Sequence, residues 1–164
     1  MELSNHCVRS CTYCGLRAEN AHLPRYRLSM EEVLTAARQA HALGWGTLVM
    51  QAGEDYALTR DFVAEIIRAI KRETPLAVTL SLGERPRDDL AAWREAGADR
   101  YLLRFETSDA DLYARIHPTL SPGEPDRIER LRRLQKLGYE AGGGVMIGIP
   151  GQSYTILARD IDLF

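Results

Sequence analysis

The chain has 164 residues, of which 45% are hydrophobic and 27% are charged. This is the size and composition of one ordinary globular domain, and it excludes intrinsic disorder, collagen and coiled coils. The formal net charge of −2 offers no basic field for a nucleic-acid backbone, and no apolar run approaches the roughly 18 residues that span a bilayer. We therefore expect a cytoplasmic domain that binds neither nucleic acid nor membranes.

Strands and helices alternate along the chain. Ser29 with Glu32 forms a capping box that predicts the start of one helix, and Gly44 marks its end. Pro86 suits the first turn of a later helix. The predicted elements in chain order are strand 1–5, helix 29–43, strand 47–51, helix 59–72, strand 76–81, helix 86–97, strand 101–106, a loop rich in Pro and Ser, helix 127–137, strand 143–147 and helix 156–164.

This alternation implies right-handed crossovers and a parallel α/β sheet. Two architectures fit: an open doubly wound sheet and part of a (β/α) barrel. About five βα units are predicted where a closed barrel needs eight. We therefore expect one domain, residues 1–164, truncated on its C-terminal side. The first strand has almost no lead-in, which suggests truncation at the N-terminus as well.

All three cysteines lie in one loop, as Cys7-x3-Cys11-x2-Cys14. An odd number crowded into one segment disfavours a disulfide framework and favours metal or redox chemistry. Three thiolates can hold three corners of a 4Fe–4S cluster, and with no fourth cysteine one iron stays open to a small molecule. The alternative is a zinc site completed by His6 or His22.

The cysteine spacing, with the aromatic Tyr13 just before Cys14, resembles the signature of the radical S-adenosylmethionine (SAM) superfamily. The resemblance implies a partial TIM-like (β/α) barrel of about five parallel βα units. It also implies a 4Fe–4S cluster held by Cys7, Cys11 and Cys14, with SAM chelated to the open iron. In that family the cluster cleaves SAM reductively to a 5′-deoxyadenosyl radical that abstracts hydrogen from the substrate.

Other loops fit a SAM site. Gln51-Ala52-Gly53-Glu54-Asp55 follows the second strand and resembles the superfamily's Gly-Gly-Glu segment, whose backbone carbonyls contact the SAM amino group. A turn after a buried strand explains this loop equally well. Arg104 and Glu106 share one face of the fourth strand, where they would bind SAM or form a structural salt bridge with each other.

Five longer stretches carry a more specific resemblance: residues 14–17, 51–55, 79–84, 98–107 and 148–152. Together they resemble the HydE-type maturases of iron–iron hydrogenase, a branch that also contains relatives of biotin synthase and methylornithine synthase. By that resemblance Arg104, Glu106 and Arg127 contact SAM. Phe105 departs from the family, which usually has His there.

The resemblance implies a role in maturation of the hydrogenase active-site cluster. The implied partners are a small-molecule or metal-cluster precursor substrate, an electron donor and other hydrogenase maturases. The alternatives are a biotin-synthase-like or methylornithine-synthase-like radical enzyme, and an inactive metal-binding fragment.

Overall fold

In a computed structural model, which describes residues 1–118 and 126–163, the chain forms five strands and six helices. The elements in chain order are β1 Glu2–Ser4, α1 Met30–Ala42, β2 Thr47–Ala52, α2 Arg60–Glu73, β3 Ala77–Ser81, α3 Arg87–Glu95, β4 Arg100–Leu102, α4 Ala110–Ile116, α5 Arg127–Lys136, β5 Glu140–Gly142 and α6 Tyr154–Ile161. Within this described part, no helix is both long enough and apolar enough to cross a membrane.

All five strands are parallel, and their order in the sheet is their order in the chain, β1-β2-β3-β4-β5. A doubly wound sheet needs a point where the strand order reverses, and this sheet has none. Consecutive parallel neighbours joined by right-handed crossovers place their helices on one face and curve towards a barrel. The predicted partial barrel is therefore confirmed, with β1 and β5 at the two open edges.

The two faces of the sheet differ in burial because side chains alternate along each strand. In β2, Leu48 and Met50 are buried in the main apolar core. Their neighbours Val49 and Gln51 point to the opposite face and are exposed. Helix α2 supplies the other side of this core with residues such as Ile66, which is fully buried. Each such side chain contributes about 1.5–3 kcal/mol of burial free energy.

The predicted start of α1 is confirmed in atomic detail. The backbone N–H of Ser29 donates to the Glu32 carboxylate at 2.7 Å, and the Ser29 hydroxyl accepts from the Glu32 N–H at 3.4 Å. The side chains of Thr59 and Ser153 cap α2 and α6 in the same position. These caps satisfy backbone donors that have no partner inside the helix.

The predicted bounds of two strands are wrong. The fourth strand ends at Leu102 instead of 106, because Glu106 has a positive φ of 63°. The carbonyl of Gly144 accepts from both Phe105 N (2.9 Å) and Glu106 N (3.1 Å), so the regular ladder stops. The fifth strand consequently occupies 140–142 instead of 143–147, with one isolated bridge between Glu106 and Val145.

Helix α4 lies in a stretch for which the sequence predicted a loop. Asp109 caps it by accepting from the N–H of Leu112 at 2.9 Å. The remainder of the predicted Pro- and Ser-rich loop, residues 119–125, lies outside the described residues, as does residue 164 of the last predicted helix.

Candidate metal and cofactor site

The cysteine loop leaves β1 at the carboxyl end of the sheet, where sites form in parallel α/β folds. Backbone hydrogen bonds attach it to two distant parts of the chain. Val8 N donates to the carbonyl of Glu54 after β2 at 3.0 Å, and Thr12 N donates to the carbonyl of Ile116 in α4 at 2.9 Å. Within the loop, Cys14 N donates to the carbonyl of Cys11 at 3.1 Å. Both halves of the cysteine loop are therefore hydrogen-bonded to other parts of the chain.

The three cysteines are free thiols, and their surroundings differ. Two backbone N–H groups point at the sulfur of Cys7, from Arg9 at 3.4 Å and from Glu54 at 3.3 Å. Such N–H···S bonds stabilise a thiolate ligand and tune the metal that it binds. The pKa of the Cys11 thiol is raised to about 11, mainly by burial; Arg127 lowers it, and the nearby Cys7 and Cys14 raise it.

The three thiols are suitable donors for a soft metal or an iron–sulfur cluster. A thiol loses its proton when it binds a metal cation, and the resulting thiolate is a soft ligand. Among the described residues, no three His, Cys, Asp or Glu side chains form a group that could hold a single metal ion. A single tetrahedral zinc needs thiolates converging at about 2.3 Å from one point. The described side chains therefore form no preformed site for a single metal ion.

Gly53 allows the loop after β2 to touch the cysteine loop. A Cβ atom at this position would lie 2.2 Å from the carbonyl oxygen of His6 and 2.7 Å from the Cβ of Cys7. Both distances are far below van der Waals contact. Glycine at this position is therefore required by the close approach of two backbones beside a candidate metal ligand.

Glu54 and Gln51 occupy opposite environments. The Glu54 carboxylate is buried and fully used inside the chain: it pairs with Arg9 at 2.9 Å, and it accepts from the Tyr56 hydroxyl (2.9 Å) and from Glu84 N (3.1 Å). It therefore joins the loops after β1, β2 and β3. The Gln51 side chain is exposed on the open face of the sheet, directly below these loops.

The structure brings Tyr13, Arg104 and Glu106 together. The Tyr13 hydroxyl donates to Glu106 Oε1 at 3.0 Å, and Arg104 Nε lies 3.6 Å from the same oxygen. Burial, reinforced by the charge of Glu106, raises the pKa of Tyr13, which keeps the hydroxyl protonated as a donor. The second oxygen of Glu106, Oε2, is buried and has no hydrogen-bond partner, whereas the Arg104 side chain is 60% exposed.

Arg127 begins helix α5 and reaches into the middle of this site. Its Nε donates to Glu84 at 2.9 Å, and its NH1 donates to the carbonyl of Arg104 at 2.7 Å and lies 3.5 Å from Glu106 Oε1. Its NH2 lies 2.6 Å from Nε2 of His117. Burial lowers the pKa of Arg127, but Tyr113, Glu84 and Tyr13 raise it by more than burial lowers it. The guanidinium therefore stays charged.

Sequence reasoning missed two members of this buried network, Arg9 and His117. Arg9 pairs with Glu54 and with Glu84 (3.0 Å), and His117 touches Arg127. The position of Arg9 between two candidate metal ligands could have marked it as a site residue. Its partners are more than 40 residues away, however, so the sequence did not indicate the pairing. His117 lies in the segment where no helix was predicted, so nothing in its neighbours indicated burial.

All 164 residues match the family model described as the Radical SAM superfamily. Among curated proteins, the FeFe hydrogenase maturase subunit HydE of Thermotoga maritima is 45% identical over 161 residues. The match covers 98% of this chain and 45% of that protein. A biotin synthase of Magnetococcus marinus is 32% identical over 151 residues, covering 89% of this chain and 46% of that protein.

Among solved structures, methylornithine synthase (PylB) superposes with a TM-score of 0.88 at 25% sequence identity, covering 99% of this chain and 48% of that one. The chain therefore spans less than half the length of each of these three relatives.

Proposed function

The chain belongs to the radical SAM superfamily, and on that basis we propose that Cys7, Cys11 and Cys14 each bind one iron of a 4Fe–4S cluster whose fourth iron binds SAM. In this superfamily the bound cluster supplies the electron that cleaves SAM to methionine and a 5′-deoxyadenosyl radical, which abstracts hydrogen from a substrate. The observation that carries the proposal is the loop of three free thiols at the carboxyl end of β1, locked by hydrogen bonds to the loop after β2 and to α4.

The surroundings of the cysteines suit this task. The two N–H groups aimed at Cys7 stabilise negative charge on its sulfur, so they favour the thiolate form that metals bind. Cys11 is only 7% exposed, which keeps water and oxidants away from one ligand. Gly53 lets the backbone of the second loop approach within contact distance of Cys7, so the ligand loop rests against a rigid strand end.

We assign the SAM contacts as follows. Arg104, exposed on the open face, suits the methionine carboxylate through bidentate hydrogen bonding. Glu106 Oε2 is a buried acceptor without a partner, and it suits an ammonium or a ribose hydroxyl. Tyr13 and Arg127 hold the other oxygen of Glu106, which orients this acceptor. Gln51 and the 53–54 backbone contribute acceptors for the SAM amino group at the edge of the same site.

We propose that the physiological reaction is a step in maturation of the iron–iron hydrogenase active-site cluster. The support is the 45% identity to HydE over 98% of the chain. The substrate would be a small molecule or metal-cluster precursor, an electron donor would reduce the cluster, and other hydrogenase maturases would be partners. The three free thiols suit the reducing cytoplasm. In this proposal, residues 1–164 form the radical SAM core of a larger catalytic barrel.

A second candidate is a biotin-synthase-like or methylornithine-synthase-like radical reaction. The 32% identity to biotin synthase and the TM-score of 0.88 with methylornithine synthase favour it. Both candidates share the cluster and SAM, so they differ only in substrate. A third candidate is a metal-binding fragment without turnover.

The test is anaerobic reconstitution of the chain with iron and sulfide, followed by iron and sulfide analysis. We expect about four irons and four sulfides per chain, a brown colour and a broad absorption near 400 nm. Cys11→Ala should lose the cluster, whereas Ser10→Ala, in the same loop, should keep it. A Cys11→Ala variant with full iron and sulfide would refute the ligand assignment, and a single bound zinc would refute the cluster.

Turnover is tested separately by supplying SAM and a strong reductant. Formation of 5′-deoxyadenosine above the level of a triple Cys→Ala control would support an enzyme whose SAM site is complete within these residues. A full cluster with no product would support the inactive fragment instead.

A further inference from the structure

The backbone of Glu106, one of the proposed SAM contacts, has a conformation that is unusual for a residue other than glycine. Its φ is 63°, and the N–H of Thr107 donates to the carbonyl of Phe105 at 2.7 Å. A hydrogen bond between residues i and i+2 around a positive φ is the rare and strained form of γ-turn. Such a conformation persists only where the surrounding structure holds it. The contacts on both sides of this turn therefore determine how Glu106 is placed.

Asp160 of α6 holds the side of the turn that follows Glu106. Its Oδ1 accepts from the Ser108 N–H at 2.6 Å, from the Ser108 hydroxyl at 2.6 Å and from the Thr107 hydroxyl at 3.2 Å. The whole residue is buried, with 0% exposure. A buried carboxylate is costly unless hydrogen bonds compensate for the lost water. At Asp160 those hydrogen bonds come from the two residues directly after the strained turn.

Gln152 connects the same carboxylate to the other side of the turn. The N–H of Met146 donates to the carbonyl of Glu106 at 2.8 Å. Gln152 Nε2 donates to the carbonyl of Met146 at 2.9 Å and to Asp160 Oδ2 at 3.2 Å. These hydrogen bonds form a ring that runs from Glu106 through Met146, Gln152 and Asp160 to Thr107, where the chain itself closes it. The strained turn is therefore held from both sides through one buried carboxylate.

We propose that Asp160 is a positioning residue for Glu106. It fixes the 107–108 segment, and with it the turn that places the Glu106 carboxylate against Tyr13 and Arg127. Binding groups must be held within about 0.5 Å of their productive position, so a looser turn weakens the contact of Glu106 with SAM. The inference rests on the proposed function, since Asp160 acts through Glu106 and not by its own contact with SAM.

The first measurement is the affinity of the reconstituted chain for SAM, by anaerobic calorimetry. Asp160→Ala should weaken SAM binding roughly tenfold, because it removes the hydrogen bonds to a charged group that hold the turn. Asp160→Asn keeps an acceptor oxygen for Ser108 and should restore most of the affinity. The matched control is Asp162→Ala, at an exposed aspartate just after α6, which should bind SAM as the parent does.

A double-mutant cycle separates positioning of Glu106 from a general structural effect. Glu106→Ala removes the carboxylate that Asp160 is proposed to place. In that background Asp160→Ala should change the SAM affinity by less than about twofold, because two residues that act through one contact are not additive. An equal loss of affinity in both backgrounds would overturn the proposal.

Hydrogen exchange followed by mass spectrometry tests the turn itself, without SAM. Asp160→Ala should speed exchange in peptides that cover residues 105–107 at least roughly tenfold and leave peptides of β3 unchanged. Unchanged exchange at residues 105–107, or the same acceleration in β3, would refute the role of Asp160 in holding the turn. If Asp160→Ala does not fold, Ser108→Ala takes its place: it removes only the hydroxyl bond to Asp160 and should shift both readouts in the same direction, about threefold.

Failure of this inference is distinct from failure of the proposed function. A parent chain that binds a cluster but no SAM would refute the SAM site and the role of the turn in it. A parent that binds SAM, with an Asp160→Ala variant of equal affinity, would refute the positioning role alone.

Discussion

Gly53→Ala should displace the cysteine loop without unfolding the domain. The added Cβ would lie 2.2 Å from the carbonyl oxygen of His6, and ordinary carbon–oxygen contacts begin near 3.2 Å. The two backbones must therefore separate by about 1 Å at this point. Overpacking of this kind costs about 1–3 kcal/mol, which is a fraction of the stability of a domain.

Gly53→Ala should reduce the cluster content of the chain more than it reduces the stability of the fold. Metal–ligand distances tolerate deviations of about 0.2 Å, so a shift of about 1 Å next to Cys7 is several times too large. The shift also pulls Glu54 N away from the Cys7 sulfur, to which it donates at 3.3 Å. We expect the variant to retain less than roughly half of the parent's iron and sulfide after reconstitution.

The assay pairs metal analysis and absorption near 400 nm with thermal unfolding. Gly46→Ala is the control, because a Cβ there meets no atom within 4 Å and the residue lies at the opposite end of β2. It should keep both stability and cluster. A Gly53→Ala variant that binds a full cluster would refute the argument that this close approach positions the ligand loop.

Three further predictions concern the buried network. Tyr13→Phe removes one hydrogen bond to Glu106 and should weaken SAM binding about fivefold in calorimetry; unchanged affinity would show that the hydroxyl does not orient this carboxylate. Because the folded chain lowers the pKa of His117 from 6.5 to about 4, the unfolded chain takes up this proton first, and the free energy of unfolding should fall by about 2–3 kcal/mol as the pH drops from about 6.5 to 4. That slope should be missing from urea titrations of His117→Phe. Arg127→Met leaves buried carboxylates short of a partner and should lower stability by about 3 kcal/mol, against almost no change for the exposed Arg38→Met.

Local signals in the sequence predicted much of the fold. The Ser29 capping box and the alternation of strands and helices predicted where α1 begins and that the sheet is parallel, and both are confirmed. The choice between a doubly wound sheet and a barrel needed the order of the strands. The resemblance to the radical SAM superfamily, which rested on the cysteine spacing, is confirmed by the family model.

The ends of β4 and β5 had no such local signal. They depend on Glu106, which adopts a positive φ although it is not glycine, and nothing in its neighbours predicts that conformation. Helix α4 was missed because its 7 residues are too few for a clear helical period and they lie next to a Pro- and Ser-rich stretch. The pairing of Arg9 with Glu84 joins residues far apart in the chain, and such contacts leave no periodicity in a single sequence.

The hydrogen bond from Thr12 to Ile116 has a consequence for biosynthesis. The carbonyl that anchors the cysteine loop is 104 residues later in the chain than Thr12, so the ribosome makes the thiols well before it makes their anchor. At translation rates of about 5–20 residues per second, the thiols wait roughly 5–20 s for that anchor. During this interval they are reactive and open to oxidation. Correct metal loading of this chain therefore depends on the redox state of the compartment in which it is synthesised, before it depends on any property of the finished fold.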